Sequence, residues 1–504
     1  MRFLVLVAAL TWPLAAAPTP CAMLYTDLVM PHAMVTFAQE IPAGELTLPP
    51  GAVPNFPGFP APSFKNLPAF CRVVALLEPT PDSQIWTEVW MPASGPTSKW
   101  NGKLESVGNG AWAGSISYRD LATALTAGYA AASTDTGHNG NSAEFVVGHP
   151  ERLIDFAYRS VHEMTVAAKS IVAAYYGNAP ARAYFNGCST GGRQALMEAQ
   201  RFPDDYDGII AGAAANFPTH LQGAQVWTTK ITNQGDGYIP PAKYPLIHNA
   251  VLEACDALDG VKDRVLEDPR RCHFDPQVLA CKGPDAATCL TPAQVEVSRK
   301  IYAGPGPSLF PGLEPGSELG WATLSAPKPM ALAAETYQYL VFKDPNWDYL
   351  KFDAVRDIAV ADKVAGPLMN AVDPNLRSFF KHGGKLLMYH GWADPGIAPQ
   401  NSVNYFTSVE DLAGGKSKAS DSIRLFMVPG MGHCAGGDGT DDFDKIGTLA
   451  SWVESKKAPD SIPAAHKTKG VVDRTRPLCA YPASAHYKGS GSTDDAANFV
   501  CAAP

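Results

Sequence analysis

The chain has 504 residues, of which 46% are hydrophobic and 18% are charged, and its formal net charge at pH 7 is −9. This is the composition of an ordinary globular protein, and an acidic chain without a basic stripe argues against nucleic-acid binding. We see no repeat of solenoid or propeller period. The 44 glycines and 44 prolines indicate long loops.

Residues 1–17 have the layout of a secretory signal peptide. A positive start at Arg2 precedes the apolar run 3–10, and small residues follow up to Ala17. Cleavage is expected near Ala17, and Pro18 leaves the cut site open. Eight apolar residues are too few to span a bilayer, and no later segment is long enough. The sequence thus predicts an exported protein, secreted or periplasmic, that makes no membrane association.

Ten cysteines in an exported chain predict five disulfides. Spacing favours three pairs, and a fourth pair flanks a proline-rich stretch, which leaves two cysteines over. The three spaced pairs are Cys255–Cys272, Cys281–Cys289 and Cys479–Cys501, the flanking pair is Cys21–Cys71, and the remaining two are Cys188 and Cys434.

Strand and helix patterns alternate along the first part of the chain. Strands are expected at 71–79, 84–92, 102–108, 129–138 and 181–187, and helices at 119–128, 155–176 and 191–203. The alternation returns near the end, with a helix at 376–384 and strands at 385–395 and 423–434. Such alternation predicts a parallel sheet with helices on both faces.

Segment 217–373 has a different pattern. It is rich in Pro, Gly, Trp and Cys, and its short helices do not alternate with strands. We therefore predict an inserted lid domain over 217–373. The catalytic domain would comprise 18–216 and 374–504.

Ser189 is the candidate nucleophile. It is the serine of Gly-Cys-Ser-Thr-Gly at 187–191, a G-x-S-x-G pattern between a predicted strand and a predicted helix. To act as a nucleophile, serine needs a base and a residue that orients the base. Where the serine lies on such a strand-to-helix turn of a parallel sheet, the acid and then the histidine follow it along the chain. Asp394 and His433, each just past a predicted strand, meet both conditions.

Two cysteines adjoin this predicted triad. Cys188 directly precedes Ser189, and Cys434 directly follows His433. Because a disulfide holds its Cα atoms about 5.5–6 Å apart, this pair would keep the nucleophile beside the base. Cys188 is therefore interpreted as half of a structural disulfide and not as a rival nucleophile. The other histidines, His382 and His390 among them, are interpreted as structural.

An acyl-transfer site also needs backbone N–H groups around the oxyanion. The N–H of Thr190, directly after the nucleophile, is expected to be one donor. Loop 108–114 is the candidate for the second, through Gly110 or Ala111. A tight glycine turn without this role is the alternative.

The lid contains an acidic loop at 255–269. Asp256, Asp259 and Asp263 lie close together in it, and carboxylates with backbone carbonyls are the oxygen ligands that Ca²⁺ requires. The spacing is not that of an EF-hand. Spacing alone leaves both a calcium site and a solvated acidic turn open.

Four segments together resemble the tannase and feruloyl esterase family, and the resemblance extends over nearly all of the mature chain. They read GCSTGGRQALMEAQRFPDDYDGIIAG, YHGWADPGI, PGMGHC and CDALDGVKD. The resemblance implies an α/β-hydrolase fold with a large lid, and a disulfide beside the catalytic Ser189 and His433, with Asp394 as the acid. It also implies structural calcium in the lid. The implied ligands are Asp256, Asp259 and Asp263 with the carbonyls of Val261 and Val265. Arg264 departs from the glycine that many members have there.

The family hydrolyses esters of aromatic acids, so the resemblance implies a serine esterase acting on a small-molecule or cell-wall aromatic ester. A hydroxycinnamoyl ester such as a feruloyl ester is the first expectation. A galloyl ester, which would make the protein a tannase, is the second, and a terephthalate monoester the third. The alternative from another class is a non-catalytic hydrolase-fold protein that binds aromatic glycosides.

Overall fold

The computed structural model describes residues 17–53, 62–96 and 98–503. Of the predicted signal peptide at 1–17, all but Ala17 lies outside the described residues, so this expectation stays a prediction.

A nine-stranded sheet forms the centre of the protein. Its strands follow the spatial order β1-β2-β3-β5-β4-β6-β7-β8-β9. They are β1 (Ala33–Ile41), β2 (Phe70–Leu77), β3 (Ile85–Pro92), β4 (Lys103–Val107), β5 (Ala130–Thr134), β6 (Arg182–Cys188), β7 (Gly208–Gly212), β8 (Lys385–Gly391) and β9 (Ile423–Val428).

In spatial order, the six neighbouring strands β5, β4, β6, β7, β8 and β9 are parallel, as the sequence predicts. The strands at the other edge of the sheet are antiparallel. Strand β1 pairs antiparallel with β2, β2 with β3, and β3 with β5. Only residues 78–84 connect β2 to β3. A parallel pair needs a crossover of a dozen or more residues, so this short link requires an antiparallel hairpin.

Helices cover both faces of the sheet, as predicted. The α-helices are α1 (Leu24–Asp27), α2 (Tyr118–Thr126), α3 (Pro150–Ile154), α4 (Ser160–Tyr176), α5 (Thr190–Arg201), α6 (Pro218–Asn233), α7 (Tyr244–Cys255), α8 (Pro292–Ala303), α9 (Ala322–Ser325), α10 (Ala331–Glu335), α11 (Ala354–Val364), α12 (Gly366–Met369), α13 (Arg377–Lys381), α14 (Gln400–Ala413), α15 (Lys416–Ala419) and α16 (Lys445–Ser455). A π-helical turn, Asp155–Arg159, precedes α4.

Successive residues of one strand enter two separate cores. On β8, Leu386 and Met388 pack with residues of α4, α5 and α14, whereas Leu387 and Tyr389 pack with residues of α2 and α16. Side chains on a strand point alternately to opposite faces, so each face of the sheet has its own set of helices. The central strands are consequently apolar throughout, and all five residues of β7 are buried.

The chain between β7 and β8 adds no strand to the sheet. It contains α6 to α13, and one apolar cluster joins Leu221, Ile247 and Trp321 of this segment to Ile397 beyond β8. The division into a lid at 217–373 and a catalytic domain stays a prediction. Two small sheets complete the fold, formed by β10 (Asp442–Phe443), β11 (Ser461–Thr468) and β12 (Val471–Cys479), and by β13 (Ser484–Tyr487) and β14 (Phe499–Ala502).

All ten cysteines form disulfides, in the pairs that the sequence analysis expects. The described part of the chain contains no helix of the length and apolarity that a membrane span requires.

Candidate active site

Ser189 occupies a sharp turn between β6 and α5. Its φ is +63°, a left-handed value that costs a non-glycine residue roughly 1–2 kcal/mol. The flanking glycines make the turn possible. A Cβ added at Gly187 would lie 2.4 Å from the carbonyl carbon of Gly191, and one added at Gly108 would lie 2.6 Å from the Gly191 Cα. The G-x-S-x-G spacing is therefore a steric requirement of the turn.

Asp394 and His433 follow adjacent parallel strands, β8 and β9, and meet at the same edge of the sheet. His433 Nδ1 lies 2.6 Å from Asp394 Oδ2. The Asp394 side chain is fully buried, whereas 33% of the His433 side chain is exposed. One ring nitrogen of His433 is thus committed to the aspartate, which leaves Nε2 for chemistry.

Asp394 is held as a buried carboxylate by hydrogen-bond donors on both oxygens. The backbone N–H groups of Gly396 and Ile397 donate to Oδ1 at 2.8 and 2.9 Å. Burial by itself would raise the pKa of this carboxyl, but the charge of His433 and the hydrogen bonds from His390 and His433 hold it well below its usual range. For His433, burial by itself would lower the pKa, but the Asp394 charge raises it above its ordinary value.

His390 belongs to the site, although the sequence analysis interprets it only as structural. It is fully buried, and its Nε2 lies 3.0 Å from Asp394 Oδ2 and 3.1 Å from the carbonyl oxygen of Ile397. Two acceptors at Nε2 require that this nitrogen carries the proton. Nδ1 then accepts from the Ser402 hydroxyl at 2.7 Å. The sequence contained one signal, a histidine four residues before the acid.

The Cys188–Cys434 disulfide links the serine turn to the histidine loop, with Cα atoms 6.1 Å apart. Ser189 and His433 are each one residue from a bridged cysteine, so their own Cα atoms are at most about 14 Å apart. The bridge closes a sequence separation of 246 residues. It therefore adds a covalent link between the loops after β6 and β9 to the strand pairing that already brings them to one edge of the sheet.

The two expected oxyanion segments touch. The Thr190 hydroxyl donates to the carbonyl oxygen of Ala111 at 3.0 Å, and Ala111 has a φ of +49°. No acceptor among the described residues takes the N–H groups of Gly110, Ala111 or Thr190. The structure thus brings loop 108–114 to the N-terminus of α5, and the oxyanion role of these groups stays a prediction.

Four of the five expected calcium ligands line one small cavity of about 10 Å³. They are Asp259, Val261, Asp263 and Val265, and Glu267 joins them. This is room for about one water-sized sphere, and the carboxylates suit a hard cation. Arg474 and Arg476 line the same cavity, however, and their charges oppose a cation there.

The fifth expected ligand, Asp256, does not line that cavity. Its carboxylate accepts the backbone N–H of Arg264 at 3.0 Å, and Asp263 pairs with Arg476. No group of three or more His, Cys, Asp or Glu side chains in the described ranges is arranged to hold a metal. Arg264 itself has a φ of +69°, in the region that favours the glycine of many family members. Calcium stays a prediction.

A serine on a strand-to-helix turn, with an aspartate and a histidine after two later strands of a mostly parallel sheet, defines an α/β-hydrolase fold. The comparisons with known proteins identify the family. A profile described as "Tannase and feruloyl esterase" matches residues 71–502. The chain therefore belongs to the tannase and feruloyl esterase family and is a carboxylic ester hydrolase.

Individual relatives are similar over almost their whole length. An uncharacterized esterase of Xanthomonas campestris is 38% identical over 544 aligned residues, covering 97% of this chain and 92% of that protein. A probable feruloyl esterase B-2 of Neosartorya fischeri is 34% identical over 529 residues, covering 99% of both chains. The crystal structure of feruloyl esterase B from Aspergillus oryzae is similar with a TM-score of 0.87 at 31% identity, covering 96% of this chain and 99% of that one.

Proposed function

We propose that the protein is an exported serine esterase that hydrolyses esters of hydroxycinnamic acids through an acyl-enzyme. The observation that carries the proposal is the His433–Asp394 pair, tied to the Ser189 turn by the Cys188–Cys434 disulfide. The similarity to proteins named feruloyl esterase B supports the hydroxycinnamoyl acid. The five disulfides support export, because such bonds persist in oxidising compartments.

In the first half of the reaction, His433 Nε2 takes the proton of the Ser189 hydroxyl as its oxygen attacks the ester carbonyl. The hydrogen bond from Nδ1 to Asp394 keeps the basic lone pair on Nε2 and stabilises the imidazolium that forms. His433 then gives this proton to the departing alcohol oxygen. Water repeats the sequence on the acyl-enzyme and releases the aromatic acid.

The negative charge on the carbonyl oxygen needs fixed donors during both halves. The N–H of Thr190 and an N–H of Gly110 or Ala111 supply them in this proposal. The hydrogen bond between the Thr190 hydroxyl and the Ala111 carbonyl sets the distance between the two donor segments before substrate arrives. Donors that are already in place stabilise the transition state without reorganisation, and each is worth roughly 10²–10³-fold in kcat.

Calcium, when bound, would add electrostatic cross-links within the lid and would take no part in acyl transfer. Asp259, Asp263 and the carbonyls of Val261 and Val265 would hold it. These residues pack against the C-terminal part of the chain, since Arg474 donates to the carbonyl oxygen of Asp263 at 2.9 Å. The ion would compete with Arg474 and Arg476 of β12 for Asp263, so its stabilising effect would lie within the loop itself.

Hydrolysis of methyl ferulate and methyl gallate by the wild type and by Ser189→Ala tests the proposal. We expect turnover of methyl ferulate in preference to methyl gallate, abolished in the variant. Preference for methyl gallate would place the protein with the tannases instead. Turnover that persists in a folded Ser189→Ala protein would refute the mechanism.

A further inference from the structure

A cavity of about 300 Å³ lies beside the catalytic histidine, between the lid and the sheet. His433, Trp392 and Pro395 line it on the sheet side, and His248 of α7 and Leu319 line it on the lid side. None of the groups that surround the developing oxyanion, Ser189, Thr190, Gly110 or Ala111, is part of its wall. The cavity therefore adjoins the base, and its wall does not include the nucleophile or the expected oxyanion donors.

His248 presents a buried nitrogen to this cavity that has no hydrogen-bond partner. Only 6% of its side chain is exposed, and among the described residues nothing bonds to Nε2. The other ring nitrogen, Nδ1, lies 2.9 Å from Glu318 Oε2. Glu318 is itself fully buried and also accepts from the Tyr302 hydroxyl and the Gly316 N–H, each at 2.8 Å.

This arrangement fixes the imidazole ring while its outward nitrogen is left unsatisfied. A buried polar atom without a hydrogen-bond partner is destabilising, so such atoms in native proteins require an explanation. The nearest carboxylate oxygen, Asp438 Oδ2, is 3.6 Å away, which is too long for a hydrogen bond. A ligand atom that bonds both groups would remove the penalty.

The charges on the wall indicate which kind of ligand fits. Burial by itself would lower the pKa of His248, but the carboxylates of Asp438 and Glu318 raise it to about 9. At neutral pH the Nε2–H is therefore a donor, and Asp438 beside it is an acceptor. A hydroxyl group both donates and accepts, so it satisfies the pair. Arg264 also lines the wall and offsets the charge of Asp438, so the wall charges do not separate neutral from anionic alcohols.

The chemistry of the proposed reaction decides which half of the ester occupies the cavity. The departing alcohol oxygen must take its proton from His433, so the alcohol lies on the side of that histidine. We propose that this cavity is the subsite for the alcohol half of the ester, and that His248 and Asp438 bind a hydroxyl of a polyhydroxylated alcohol. This inference rests on the proposed esterase function and deepens it.

Three esters of one acid test the subsite: methyl caffeate, glyceryl caffeate and caffeoylquinate. They offer the cavity a methyl group, a neutral polyol and a polyol with a carboxylate. The wild type should have a higher kcat/KM for the two polyol esters than for the methyl ester. His248→Asn removes Nε2 but places its amide nitrogen where Nδ1 was, so the bond to Glu318 is retained.

We expect His248→Asn to lower kcat/KM for the glyceryl ester roughly tenfold, the effect of one lost charge-assisted hydrogen bond. The methyl ester should change less than twofold. Asp438 is half exposed, so we expect the Asp438→Asn variant to fold without disturbing the buried His248–Glu318 pair. It should lower kcat/KM for the glyceryl ester, since a neutral amide oxygen is a weaker acceptor than a carboxylate. Asp442→Asn, which removes a nearby exposed carboxylate outside the cavity wall, should leave all three ratios unchanged.

Equal losses on all three esters in both His248→Asn and Asp438→Asn would overturn the subsite, because they would indicate a structural role. Unchanged ratios between the esters would overturn it as well. No turnover of methyl caffeate or methyl ferulate by the folded wild type would instead refute the proposed function, and the inference with it.

Discussion

Replacing both Cys188 and Cys434 by serine removes the bridge between nucleophile and base. The bridge closes a separation of 246 residues. Loop-closure entropy for that length predicts a loss of about 5.5 kcal/mol in the free energy of unfolding at 25 °C. An unfolding entropy of roughly 1 kcal/mol/K for a chain of this size converts the loss to a fall of about 5 °C in Tm.

The catalytic effect should exceed what the stability loss explains. At a temperature where the variant is fully folded, Ser189 and His433 still lose the covalent link between their loops. A displacement of about 1 Å in a reacting group costs roughly 100-fold in rate, so we expect kcat to fall by about that factor. The KM should change much less, because neither cysteine lines the cavity beside His433.

Scanning calorimetry in oxidising buffer gives Tm, and steady-state hydrolysis of methyl ferulate gives kcat. The matched control is Cys281→Ser with Cys289→Ser, a lid bridge that spans 8 residues. Its loop entropy predicts a loss of about 2.5 kcal/mol and no change in kcat. If the Cys188/Cys434 variant kept both the Tm and the kcat of the wild type, the reasoning would be refuted.

The remaining predictions concern pH and calcium. Because Asp394 raises the pKa of His433 above 6.5 and catalysis needs the neutral ring, kcat/KM should fall as pH drops below that raised pKa. Asp394→Asn should move this acidic limb to lower pH and reduce kcat roughly 10⁴-fold; an unmoved limb contradicts the coupling. His390→Leu removes a donor from Asp394 and should move the limb to higher pH, whereas His390→Gln, whose amide nitrogen replaces Nε2, should restore it; a leucine variant with the wild-type profile would exclude a positioning role. Calcium at about 1,000 times its Kd should stabilise the protein by about 4 kcal/mol, measured as a Tm that falls with chelator. The Asp259→Asn variant should lose this response, and a wild-type Tm indifferent to chelator and calcium would rule the site out.

The sequence by itself was sufficient for features that depend on neighbours along the chain. The strand, turn and helix around Ser189 can be predicted because apolar periodicity and the steric requirement for glycine act within a few residues. The pairing of Cys188 with Cys434 could be inferred because each adjoins a residue with an expected place in the fold. Strands β2 to β6 were predicted for the same reason, since each is long enough for its pattern to show.

Other elements lacked such a local signal. Strand β7 has five buried residues with a glycine at each end, too few to display a period, and it was not predicted. The antiparallel edge follows from the shortness of the link between β2 and β3, whereas the strand pattern alone suggested parallel neighbours. The C-terminal strands β10 to β14 were also not predicted.

Only the tertiary structure decided which polar groups meet. The sequence analysis interprets His390 as structural, because a histidine four residues before the acid does not by itself show that its Nε2 reaches the carboxylate of Asp394. The contact between His248 and Glu318 joins residues 70 positions apart, and the nearby Asp438 comes from the loop beyond β9. Whether a hydrogen bond forms depends on differences of a few tenths of an ångström in the donor–acceptor distance and on which nitrogen carries a proton. Those quantities are set by the packing of remote segments, and a pattern of residue types along one chain does not contain them.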